Sequence, residues 1–100
     1  ELRTIAADDL WLSTCYGRPS LAIHFTWKPE WEAVKKVLPM IEAKLAPFDA
    51  RPHWAKLFTM PPSRLQGLYP KLAEYKALLA QYDPSGKFRN EYLNTNLYSG

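Results

Sequence analysis

Cysteine is nearly absent from this chain, with Cys15 alone among 100 residues. One thiol rules out an internal disulfide framework, and no Cys and His residues stand at metal-ligand spacing, so the expected setting is reducing and cytoplasmic, with no bound metal. No run approaches the ~20 uninterrupted apolar residues of a membrane-spanning helix, and no signal peptide is visible, so no membrane partner is expected. A surplus of one charge sign is missing too: 13 Lys and Arg are interspersed with 10 Asp and Glu, for a net charge of +3. Only Lys35 and Lys36 are adjacent, which leaves no basic stripe to follow a phosphate backbone and makes nucleic acid an unexpected partner. The 4 glycines form no phosphate-cradling loop or dinucleotide fingerprint. No Ser-His-Asp order occurs either, so an independent enzyme is hard to assemble from this inventory.

What is present suits one small globular domain, because 47% apolar and 14% aromatic residues can bury a core. The chain opens at Glu1, directly in a strand-like run, and reads as a piece cut from a longer protein. No internal repeat or low-complexity segment occurs.

Residues 1–6 alternate, placing Glu1, Arg3 and Ile5 on one side of an extended strand and Leu2, Thr4 and Ala6 on the other. Asp8 and Asp9 break that pattern, and Tyr16 to Ser20 supply turn chemistry through Gly17 and Pro19. From Ser20 to Trp27, Leu21, Ile23, Phe25 and Trp27 alternate with Ala22, His24 and Thr26, the clearest strand signal in the chain. Antiparallel pairing of these two strands would line one surface with the polar side chains of both.

Pro29 suits the start of a helix carrying Trp31, Val34, Val37 or Leu38, Ile41 and Leu45 at helical spacing, an amphipathic cover for a sheet. Pro39 predicts a kink, or two helices meeting near Leu38. Arg51 to Phe58 reads as a third strand stopped by Pro61 and Pro62. Residues 61–68 begin a short helix, and Lys71 to Tyr82 form a better one with Leu72, Tyr75, Leu78, Leu79 and Tyr82 on its stripe. Asp83 to Gly86 is a turn by residue type. Residues 87–100 show no clear period and suggest a tail docked elsewhere or frayed. The expected class is α+β: an antiparallel sheet of at least three strands with helices packed on one face.

Residue chemistry leaves each candidate site open. Glu1 and Arg3, about 7 Å apart along a strand face from ~3.3 Å of rise per residue, either grip hydroxyls or form an ordinary surface salt bridge. His24 with Thr26 is either an acid-base and hydrogen-bonding pair or a solvated strand face. Lys56, flanked by Trp54 and Phe58, is either buried near a reacting oxygen or snorkels its stem over aromatic rings. His53 falls on the opposite face from Lys56 in a regular strand, so the two serve one site only if the backbone is irregular. The tryptophans read as core or interface residues, and Cys15 as an inert thiol.

Four segments together resemble the C-terminal part of alditol (xylitol) oxidases, in order and spacing: Glu1 to Ser13, Ala22 to Trp27, Ala46 to Phe58 and Asp83 to Leu93. Those enzymes are vanillyl-alcohol-oxidase-like flavoproteins that share a terminal domain with D-arabinono-1,4-lactone and L-gulono-1,4-lactone oxidases. The resemblance covers essentially the whole chain. It implies a fragment of a flavoprotein oxidase cap domain, with residues 1–82 as the later part of the substrate-binding cap and 83–100 as an arm packing on an FAD-binding domain that lies outside this chain. It further implies FAD as cofactor, a polyol and O2 as partners, and oxidation of a primary alcohol to an aldose with release of hydrogen peroxide.

By the same resemblance, Glu1 and Thr26 hydrogen-bond the polyol, Arg3 and Lys56 hold the reacting hydroxyl, and His24 assists proton removal. His53 lies beside the flavin with Lys56, and Phe88, Asn90 and Tyr92 belong to the returning arm. Ala55 stands where that family commonly has glycine. The alternatives are an aldonolactone oxidase domain and a non-catalytic α+β module that binds protein or single-stranded nucleic acid through exposed aromatics.

Overall fold

Alternation at the N-terminal end produces the antiparallel ribbon that the sequence predicts. The computed structural model describes residues 1–99, and Gly100 lies outside them. Strand β1 (Leu2–Ile5) pairs with β2 (Ser20–Ile23) in the register Leu2 to Ile23, Arg3 to Ala22, Thr4 to Leu21 and Ile5 to Ser20. Between them Asp8 organises the connection: its carboxylate accepts from the Leu10 amide and the Ser13 hydroxyl, and Gly17, at φ 73°, closes the loop onto the Asp8 carbonyl.

Helix α1 (Trp31–Leu45) runs as one helix through Pro39 rather than dividing there, and a 3₁₀ turn, Ala46–Phe48, follows it. Its buried residues, Val34 and Leu38, lie one turn apart. Glu42 ties the helix to the later chain by accepting from the amide (2.7 Å) and hydroxyl (2.6 Å) of Thr59. Helices α2 (Pro62–Gly67) and α3 (Leu72–Tyr82) fall where helical periodicity places them. The Asp83 turn also forms, with the Gly86 amide donating to the Asp83 carbonyl and the amides of Lys87 and Phe88 to its carboxylate.

The α+β class holds, with two corrections. Among the described residues the sheet has two strands, because Arg51 to Phe58 forms a turn and irregular chain instead of a third. Pro52 removes one ladder donor, and Arg51 and Trp54 spend their polar groups on loops elsewhere, so alternation there records burial without strand pairing. The second correction concerns residues 87–99, whose lack of period conceals order: α4 (Glu91–Leu93) leads into a π-helical turn, Asn94–Tyr98, that buries Asn96 and Leu97.

The core gathers around α2 rather than under the ribbon. Leu65, Leu68, Tyr69, Leu72 and Leu97 form it, with Leu12, Trp54, Phe58, Met60 and Tyr75 packed at its margin. Helix α1 lies beside the extension of β2 instead, where Thr26 and Trp27 meet Ala33, Val34 and Val37 across an open groove of about 270 Å³. The ribbon therefore stays uncovered, Leu2 keeping 66% of its surface exposed. A radius of gyration of 14.8 Å accordingly exceeds the ~13 Å typical of a compact domain of this length.

Candidate active site

Residues directly opposite in an antiparallel pair point to the same side, so the register decides which side chains share a surface. Glu1 continues β1 by one residue and pairs with His24, whose amide donates to the Glu1 carbonyl at 2.8 Å while the Glu1 amino group donates to the His24 carbonyl at 3.1 Å. Arg3 lies opposite Ala22. One face thus carries Glu1, Arg3 and His24 around the small Ala22, and the other carries Leu2, Leu21 and Ile23.

Arg3 donates Nε (2.8 Å) and Nη2 (2.6 Å) to Glu1 Oε1, with both side chains exposed. The pair forms an exposed salt bridge, worth at most about 1 kcal/mol. Beyond β2 the rings of Phe25 and Trp27, two residues apart, stack with centroids 5.4 Å apart. Thr26, between them, lines the groove against α1. Arg3, His24 and Lys56 line neither of two open hollows among the described residues: one is the groove against α1, and the other, about 420 Å³, opens at the far end of the ribbon beside Ile5 and Pro19.

Lys56 and His53 reach their positions by a route that strand reasoning missed. The Lys56 amide donates to the His53 carbonyl at 3.1 Å, closing a turn whose first and last residues are His53 and Lys56, within ~7 Å of each other by the definition of a β-turn. The opposite-face conflict of a regular strand disappears. Lys56 is exposed and not enclosed by its neighbours, because Trp54 and Phe58 turn inward to the core margin. Among the described residues Lys56 joins no ion pair, and neither it nor His53 bonds to the ribbon face. The structure thus brings together Glu1, Arg3 and His24 in one group and His53 with Lys56 in another.

The residues that brace this turn carried little sequence signal. Arg51, partly buried, donates Nε to the Leu68 carbonyl (3.0 Å) and Nη1 to the carbonyls of Tyr16 (2.9 Å) and Thr14 (3.3 Å). Burial, and secondarily Arg18, pull its pKa below the usual guanidinium value. Trp54 donates its indole N–H to the Leu12 carbonyl at 2.8 Å and packs on Tyr69 with ring centroids 5.0 Å apart. An arginine before a proline is a mild hint of a loop clasp, but the carbonyls it binds come from segments that no local pattern brings near.

Tyr69 is the buried exception. Among the described residues its hydroxyl has no hydrogen-bond partner, and burial pushes its pKa from 10.0 up to about 12, against a smaller downward pull from Arg51. The folded phenol therefore keeps its proton through a range where the unfolded one has lost it. The resulting stabilisation, complete below pH 10, declines as pH rises toward 12, by about 1.4 kcal/mol per unit. The urea midpoint should fall between about pH 9 and about pH 11, and Tyr69→Phe should flatten that fall. An equally steep decline in the variant would assign it to other groups.

Among the described residues no group of three or more His, Cys, Asp or Glu could hold a metal, and no helix is long and apolar enough to cross a membrane. Comparison with known proteins gives consistent likenesses. Over 93 residues the chain is 47% identical to an alditol oxidase of a Streptomyces species, covering 93% of this chain and 22% of that protein. It is 31% identical to the L-gulonolactone oxidase of Scyliorhinus torazame, over 98% of this chain and 23% of that protein. It is also 32% identical to the L-gulono-1,4-lactone dehydrogenase of Mycobacterium tuberculosis, over 92% of this chain and 21% of that protein. The chain thus spans about a fifth of the length of these relatives. The family model described as D-arabinono-1,4-lactone oxidase matches residues 1–96, a stretch that holds the ribbon face, the braced turn and every core residue but Leu97, and the chain belongs to that family.

Proposed function

We propose that this chain is the substrate-domain segment of an FAD-dependent oxidase that converts the primary alcohol of an alditol to an aldose. The observation that carries the reading is the ribbon register: it sets Glu1, Arg3 and His24 on one face, in a chain 47% identical to an alditol oxidase. A polyol offers a row of hydroxyls that both donate and accept, and the ribbon answers with a carboxylate that accepts, a guanidinium that donates and, at Thr26, a hydroxyl that does both. Arg3 and Lys56 hold the reacting oxygen, their positive charge stabilising it as it loses its proton to His24.

His53 and Lys56 suit the edge of a flavin. With Nδ1 accepting from the Ala55 amide at 3.0 Å, neutral His53 carries its proton on Nε2, so the exposed turn offers one imidazole donor and one ammonium. No glycine loop is available for the pyrophosphate, which places the dinucleotide part of FAD, in this proposal, on sequence beyond this chain. When bound, FAD supplies the hydride acceptor and passes the electron pair to O2, giving hydrogen peroxide. The 83–100 arm is proposed to meet that FAD-binding domain through outward residues such as Phe88, 82% exposed, while Leu97 holds its inner side to the core. The uncovered ribbon fits the same picture of a part seated in a larger whole. The buried thiol of Cys15, with no second cysteine, fits a cytoplasmic enzyme.

The relatives named for gulonolactone favour a second reading, an aldonolactone oxidase that places a lactone against the same face. Peroxide assays on the full-length protein with xylitol, sorbitol and the two aldonolactones separate them. Turnover of polyols over lactones is expected, the reverse would shift the assignment, and turnover of neither would defeat both. The 100-residue chain alone should retain no yellow flavin and form no peroxide; either would contradict the division of labour proposed here.

A further inference from the structure

The turn from His53 to Lys56 has one central peptide, between Trp54 and Ala55, and both of its polar atoms are held by side chains. The Ala55 N–H donates to His53 Nδ1 at 3.0 Å, and the Trp54 carbonyl accepts from the hydroxyl of Tyr92, 38 residues further along. Rotation of this peptide is what interconverts type I and type II turns. Type II requires positive φ at the third residue, and among the described non-glycine residues only Asp49 has it, so the turn is not type II. Reversing the peptide would carry the carbonyl away from Tyr92 and the amide away from His53.

Tyr92 has the mounting that a clamp needs. Asn90 caps its short helix by accepting from the Leu93 amide at 2.8 Å, and the side chain of buried Asn96 donates back to the Tyr92 carbonyl at 3.1 Å. Gln66 of α2 in turn donates to the Asn96 carbonyl at 3.0 Å, which fastens the assembly to the core. Burial also raises the Tyr92 pKa, so the phenol stays a donor.

We infer that Tyr92 is a positioning residue acting through the Trp54–Ala55 peptide: its hydroxyl holds the peptide so that His53 keeps its proton on Nε2 and Lys56 keeps its place at the end of the turn. The inference rests on the roles proposed above for His53 and Lys56. A hydrogen bond at the carbonyl polarises the peptide and strengthens its N–H as a donor, so one hydroxyl governs both functional side chains.

The test uses the full-length protein with Tyr92→Phe, which keeps the ring and deletes only the donor. Hydrogen-deuterium exchange of a peptide spanning residues 53–57 should accelerate about tenfold, while one spanning 65–72 in the core stays unchanged. In parallel, kcat should fall about tenfold with KM changed less than about threefold. Ala55→Gly removes the steric bar to type II, so the double variant should lose more than the product of the two single losses. Wild-type exchange and turnover in Tyr92→Phe would overturn the inference. Equal acceleration of both peptides would also overturn it, by showing a merely structural role. If the wild-type protein oxidises neither polyol nor lactone while the local exchange effect persists, the clamp is real but the oxidase reading fails, and the positioning role falls with it.

Discussion

Replacing Lys56 by methionine in the full-length protein is expected to lower kcat by about 10²–10³-fold, the usual cost of removing one donor from a developing oxyanion. The structure isolates that effect from stability. Lys56 is exposed, at the end of a turn, and joins no ion pair among the described residues. A substitution at such a surface site normally changes folding free energy by no more than about 0.5 kcal/mol. Methionine keeps the length of the stem and removes only the charge and its three donors. The thermal midpoint should therefore hold while peroxide production collapses. Unchanged kcat would remove Lys56 from the chemistry. Loss of flavin together with activity would reassign it to holding the cofactor.

The second large effect is on stability. Leu65→Ala should destabilise the fold by about 3–5 kcal/mol, the upper part of the range for deleting a buried leucine. Among the described residues Leu65 alone is fully buried, at 0% exposure, and it belongs to the core cluster with Leu68, Tyr69, Leu72 and Leu97. The walls come from α2, α3, the Tyr69 ring and the π-helical turn, which are cross-tied by Gln66 and Arg51 and so cannot collapse into the space left behind. Against a typical domain stability of ~5–15 kcal/mol the loss is severe. Denaturation followed by tryptophan fluorescence reports it directly, since Trp54 packs at the edge of the same cluster. A shift below about 1 kcal/mol would mean that the stability resides elsewhere than in this cluster.

Local pattern sufficed wherever an element makes its own hydrogen bonds or pairs with a neighbour close in sequence. The ribbon is such a case: period-two alternation in residues 1–6 and 20–27 already sorted Glu1, Arg3, His24 and Thr26 from the apolar set, and the register then joined the first three. The turn at Asp83 and the helices α2 and α3 follow from residue type and period in the same way. Arg51 to Phe58 shows where this ends. Its alternation mimics a strand, yet the side chains of Arg51 and Trp54 donate to carbonyls 17 to 42 residues distant, and Phe58 packs at the core margin.

By itself, then, the sequence determined the mixed class, the polar and apolar faces of the ribbon, and the family whose members share its segments, because these depend on chemistry read within a few residues. Tertiary structure alone decided that His53 and Lys56 sit at the two ends of one turn, that Tyr92 and Trp54 brace it, and that the unpatterned tail supplies part of the core. Those outcomes depend on which distant carbonyls and rings meet a given donor, and that choice belongs to the packing of the whole chain rather than to any window of it.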